Sequence, residues 1–152
     1  MRTPQEIRTL AHLRLDEAQA LATSGHLEGA FYLAGYGIEL ALKARIAERL
    51  GLPWLFDEKG TSQNDQFTGL GDLRKLLKTH NLILLLAGSG LKPAYEQKRQ
   101  TESGFLKYKQ LIESWNEGLR YQLPEPVNTM NVQSFLNFLT APDGLLRWIE
   151  QS

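Results

Sequence analysis

The chain has no cysteine. Disulfides, thiolate nucleophiles and cysteine-ligated zinc are therefore excluded, and the composition fits a reducing compartment. An excess of one charge is also lacking, since Lys plus Arg and Asp plus Glu both number 17. With no net field to attract a polyanion, a nucleic-acid role would need a local patch. Long apolar runs are missing too: Leu82–Ala87 is the most apolar stretch, far too short to span a bilayer. The opening residues, MRTPQEIRTLAHLRLDEAQ, lack the apolar core of a signal peptide. The expectation is a soluble, cytoplasmic protein that does not engage a membrane. The histidines (His12, His26 and His80) have no ligand spacing to one another, so no metal is expected. Gly69, Gly71, Gly88 and Gly90 lack the Lys-Ser/Thr of a phosphate loop, and no cofactor is implied.

What is present is helical periodicity over a length of 152 residues, which suits a single domain, 1–152, with a core of its own. Thr3-Pro4-Gln5-Glu6 reads as a capping box with proline in the first turn. Ile7, Leu10, Ala11, Ala18, Leu21 and Ala22 follow at helical spacing until Ser24-Gly25. A second helix runs from about His26 to Leu50 and is stopped by Gly51 and Pro53. The short connection makes these two antiparallel neighbours. A polar, breaker-rich loop occupies 54–71, anchored by Trp54, Phe56 and Phe67. Asp72 is expected to cap a third helix, on which Leu73, Leu76, Leu77, His80, Leu84 and Ala87 share one stripe if Asn81 does not interrupt it. Beyond Pro93, Tyr95, Phe105, Tyr108, Ile112, Trp115 and Leu119 recur at helical spacing up to Leu123-Pro124-Glu125-Pro126. A last segment, Val132 to Trp148, contains the turn Pro142-Asp143-Gly144. No strand alternation or internal repeat is visible. The fold expected is all-α: an up-and-down helical bundle of four to five main helices with a polar loop around 54–71.

The second helix carries the sharpest signal. Phe31, Leu33, Ala34, Ile38, Leu40, Ala41, Leu42 and Ala44 make it apolar nearly all round, so it belongs in a core. Yet Tyr32, Tyr36, Glu39 and Lys43, spaced by steps of four, three and four, align a polar stripe on one face. An unpaired ion inside a core costs several kcal/mol by the usual estimate of about that size, so the stripe needs partners or a purpose. The plain reading is a Glu39–Lys43 pair that satisfies itself.

GAFYLAGYGIELALKARI (Gly29–Ile46), LLKTHNLILLLAGSGL (Leu76–Leu91) and WNEGLRY (Trp115–Tyr121) together resemble the HEPN domain. The landmarks are Glu39 with Lys43, the segment Thr79-His80-Asn81-Leu82, and Arg120-Tyr121, and the likeness spans most of the chain. The resemblance implies a helical bundle that pairs with itself or with a partner. Its members include nucleotide-binding companions of minimal nucleotidyltransferases, toxins of toxin–antitoxin pairs, and domains of antiviral and stress systems. Many are metal-independent endoribonucleases whose Arg and His are four to six residues apart.

Arg74 and His80 have that spacing, but a continuous helix would set them about 120° apart. Family ribonucleases place the pair in a later helix, where this chain has Arg120 with no histidine after it. Cleavage through a 2′-hydroxyl needs an imidazole-like acid or base as well as a cation. The leading expectation is thus a non-catalytic module. It would bind a nucleotide, another phosphorylated ligand or a partner protein with Tyr36, Glu39, Lys43, His80, Arg120 and Tyr121. One alternative is an endoribonuclease or toxin acting on RNA through His80 with Arg74 or Arg120. Another is a dimeric interaction module. Partners implied by the resemblance are a second copy of the chain, a nucleotidyltransferase or an antitoxin. The basic series Lys92, Lys98, Arg99, Lys107 and Lys109 reads better as a solvated helix face than as an RNA-binding surface. Gly29, Gly35 and Gly37 suggest close helix approach.

Overall fold

A computed structural model describes residues 3–57, 69–121 and 129–152, except for the side chains at 107, 108, 110–113 and 129–131. The chain is all-α, and the described residues contain no strand. The helices are α1 (Pro4–Thr23), α2 (Leu27–Arg49), α3 (Leu70–Leu77), α4 (Leu82–Gly88), α5 (Lys92–Thr101), α6 (Ser103–Ser114), α7 (Thr129–Thr140) and α8 (Leu145–Gln151), with a 3₁₀ turn at Glu117–Tyr121. No helix among the described residues is long and apolar enough to cross a membrane.

Helix α1 starts with the capping box: the Glu6 amide donates to Thr3 Oγ1 and the Thr3 amide to Glu6 Oε2. It ends at Ser24, followed by Gly25 in the left-handed region at φ 83. Among the described residues, helices α1 and α2 make the most extensive contact. They run antiparallel, since Arg8 pairs with Glu48 at one end and Leu21 abuts Gly29 at the other. Close approach explains Gly37, where a methyl group would crowd the Leu15 side chain and the Ala11 carbonyl. Helix α2 is the central element, touching α1, α4, α7, α8 and the 3₁₀ turn. Arg45 Nε and Arg49 Nη1 both reach the Ser89 carbonyl, at 3.3 and 3.4 Å, and tie α2 to the C-terminal end of α4.

Several boundaries differ from the expectations. Helix α3 begins at Leu70 after Gly69 (φ 74), so Asp72 lies in its first turn, not at its cap. Helix α3 thus begins inside the stretch expected as a loop, and Leu55 and Phe56 are buried at its start, whereas 58–68, with Phe67, lies outside the described residues. The leucine stripe is not continuous. Asn81 breaks it by capping α4, which rotates Leu82, Leu85 and Leu86 inward and leaves Leu76 and Ala87 exposed. The stretch after Pro93 divides at Glu102 into α5 and α6. Its expected end, Leu123-Pro124-Glu125-Pro126, lies outside the described residues. Tyr95 and Phe105 are core, with Phe105 edge-on to Phe138 and Trp148 at 5.7 and 5.3 Å.

Candidate functional site

Glu39 sits in the middle of α2, between Ile38 and the sequence Leu40-Ala41-Leu42, and is only 1 % exposed. A buried carboxylate has to be compensated. Lys43 Nζ, one turn on, donates to Glu39 Oε1 at 2.6 Å. Its side chain is 12 % exposed, and the ammonium stands 5.6 Å from the Phe56 ring centroid. The second partner comes from another part of the chain: His80 Nδ1 lies 3.1 and 2.9 Å from the two Glu39 oxygens.

His80 reaches this position because the helix stops beneath it. Helix α3 ends at Leu77, and α4 starts at Leu82 with the Asn81 side chain accepting from the Ile83 and Leu84 amides, both at 3.0 Å. The Thr79 hydroxyl accepts from the Asn81 amide at 3.1 Å. Two local caps thus fix the linker that presents the imidazole. The other ring nitrogen, Nε2, faces a second carboxylate, Glu117 Oε2, at 2.8 Å. Each ring nitrogen thus stands within hydrogen-bond distance of a carboxylate oxygen.

Beside this cluster opens a cleft of about 290 Å³, walled by Tyr36, Glu39, Lys43, Phe56, Lys78 and His80, with Ile7 and Leu10 from α1. The Tyr36 ring is 6.2 Å from the His80 ring and 6.3 Å, edge-on, from Trp115. Burial, reinforced by the Glu39 and Tyr32 charges, pushes the Tyr36 hydroxyl above its ordinary value of 10.0. Trp115 is itself anchored: its indole N–H donates to the Tyr32 carbonyl at 3.0 Å and its ring lies against Gly35, where a methyl group would overlap it.

The structure therefore brings Tyr36, Glu39, Lys43 and His80 together around one cleft. Arg74 is engaged elsewhere, buried, with Nε donating to the Leu55 carbonyl at 3.0 Å. It shares the buried face of α3 with Leu77, three residues on, and since the helix ends there the wheel of a continuous helix does not relate it to His80. Arg120 lies in the 3₁₀ turn, fully exposed, with its guanidinium 4.7 Å from the Tyr121 ring centroid. The Tyr121 hydroxyl, and then Tyr32, hold its pKa above the ordinary arginine value. That places Arg120 beside Tyr32, at the outer end of the α2 stripe, while Tyr121 points to solvent.

Lys78 and Glu117 carried no expectation from the sequence, and Phe56 and Leu10 were expected only as a loop anchor and an apolar helix position, not at the site. Lys78 had a usable signal, as a cation two residues before the singled-out histidine. Glu117 lies inside the WNEGLRY landmark, but only the folded chain sets it against His80. A buried carboxylate orienting an imidazole can hold a proton at a defined atom, and two lysines beside it can neutralise an entering anion. Among the described residues, no group of three or more His, Asp or Glu is arranged to hold a metal ion. Comparison of the chain with protein-family models, curated proteins and solved structures finds no match.

Proposed function

We propose that this chain is a HEPN-like, non-catalytic helical module that takes the phosphoryl end of a nucleotide or another phosphorylated ligand into the cleft beside Glu39. One observation carries the reading: a carboxylate 1 % exposed is used to fix Lys43 and His80 at the wall of an open cleft. With Lys78 added, the cations there outnumber the single carboxylate in the lining. Size narrows the ligand. Small-molecule sites typically measure roughly 300–1,000 Å³, so about 290 Å³ suits a phosphoryl or phosphoribosyl group better than a whole large ligand.

The geometry favours binding over the Arg–His ribonuclease, because Arg74 is spent on Leu55 and both nitrogens of His80 face carboxylates. The toxin–antitoxin, defence or stress setting, the homodimer, and a nucleotidyltransferase or antitoxin partner rest on the family resemblance alone.

Thermal unfolding with added nucleotides tests the proposal. Ligand at 100 times its Kd stabilises by about 2.7 kcal/mol, a shift of a few degrees. Wild type should show it and Lys78→Ala should lose most of it, since Lys78 is exposed and its truncation leaves the core intact. Absence of any shift with every nucleotide tried in wild type would overturn the reading.

A further inference from the structure

We propose that Glu117 is a built-in competitor for the cleft's ligand: it grips His80 from outside, and an incoming phosphoryl group displaces it and frees the 3₁₀ turn. This rests on the phosphoryl-binding reading above. Carboxylate and phosphoryl oxygens are both anionic acceptors for an imidazole N–H, so they compete for the same donor.

The two carboxylates on His80 are not equivalent. Glu39 is locked into α2, 1 % exposed, with Lys43 as a second partner. Glu117 has a side chain 45 % exposed and belongs to a turn with no buried residue. Ion pairs this open to water are weak, so an exchange of anions removes Glu117 and leaves Glu39 in place.

The chain around Glu117 is suited to such a release. Trp115 is held on Gly35 and by its bond to the Tyr32 carbonyl, which makes a fixed anchor two residues before the latch. Residues i and i+3 eclipse in a 3₁₀ helix, so Arg120 shares an edge of the turn with Glu117. Ejecting the carboxylate leaves this guanidinium as the charged group on that edge. The turn thus carries both the occupant of the closed state and a cation for the occupied one.

The test is titration of wild type, Glu117→Gln and Glu117→Ala with inorganic pyrophosphate, alongside the Nε2 resonance of ¹⁵N-labelled His80. Glu102→Gln, a distant carboxylate change, controls for net charge. Removing the latch should tighten binding by about three- to tenfold, the size expected when a competing closed state is abolished. Wild type saturated with pyrophosphate should show an Nε2 signal moved away from its ligand-free position, with the Trp115 indole N–H unchanged. Equal affinity in wild type and both Glu117 variants, or an equal gain from Glu102→Gln, overturns the latch and leaves the binding reading standing. Failure of pyrophosphate to bind any of the four proteins overturns the latch, whereas the binding reading falls only if the nucleotides above also fail to stabilise wild type.

Discussion

The Glu39 carboxylate and the His80 imidazole, 41 residues apart in the chain, meet at 2.9 and 3.1 Å. The carboxylate they share with Lys43 is almost fully buried, so its loss strands an ammonium that is itself only 12 % exposed. Glu39→Ala should therefore destabilise the fold by about 3 kcal/mol, at the lower end of the range for breaking a buried pair. Urea denaturation measures this. Adding Lys43→Met to Glu39→Ala should recover part of the loss, whereas independent effects would simply add.

Gly35 and Trp115 are equally interdependent. A methyl group at Gly35 would occupy the space of an indole ring that is 3 % exposed and cannot swing aside. Gly35→Ala should destabilise by about 1–3 kcal/mol through overpacking, despite the better helix propensity of alanine. The Trp115 indole N–H resonance should shift as its bond to the Tyr32 carbonyl is disturbed. An unshifted resonance with unchanged stability would show that the contact is slack.

Asn81 sets the linker that carries His80. Asn81→Ala removes the acceptor for the Ile83 and Leu84 amides and should cost about 1 kcal/mol. If the cap positions the imidazole, ligand-induced stabilisation should fall as well. A stability loss with full ligand response would confine Asn81 to capping.

Tyr36 predicts a pH dependence at the alkaline end. Its folded-state pKa is raised, by burial first and by Glu39 next, above the 10.0 of an unfolded tyrosine. Below pH 10 both states hold the proton and the shift has no effect. As pH rises from 10 through the folded value, only the unfolded chain releases it, so stability is lost across that window. Unfolding free energies of wild type and Tyr36→Phe should diverge there, with the variant losing less. The wild-type-minus-variant phenolate absorbance should titrate above 10, and a midpoint at or below 10 would contradict the assigned environment.

Much of the fold was legible because its signals are local. The capping box at Thr3 and the stop at Gly25 are each determined within a turn of helix, and the stripe Tyr32–Tyr36–Glu39–Lys43 by steps of three and four along it. Asp72 misled as a cap because Gly69, three residues earlier, can take the left-handed conformation and let the helix begin sooner. The leucine stripe misled for a related reason. One good cap, Asn81, outweighs the continuation of a helix, and every later residue then turns to a new face.

Local pattern is enough to make this chain helical, to bury α2 and to put Glu39 and Lys43 on one face, since hydrogen bonds and periodicity over three to four residues decide those matters. It takes the folded chain to make His80 complete the pair, to set Glu117 against the far side of the imidazole and to rest Trp115 on Gly35. These contacts join segments dozens of residues apart, and no local rule selects them. Packing chose them, because a carboxylate inside the core must find its counter-charges wherever the neighbouring helices bring them.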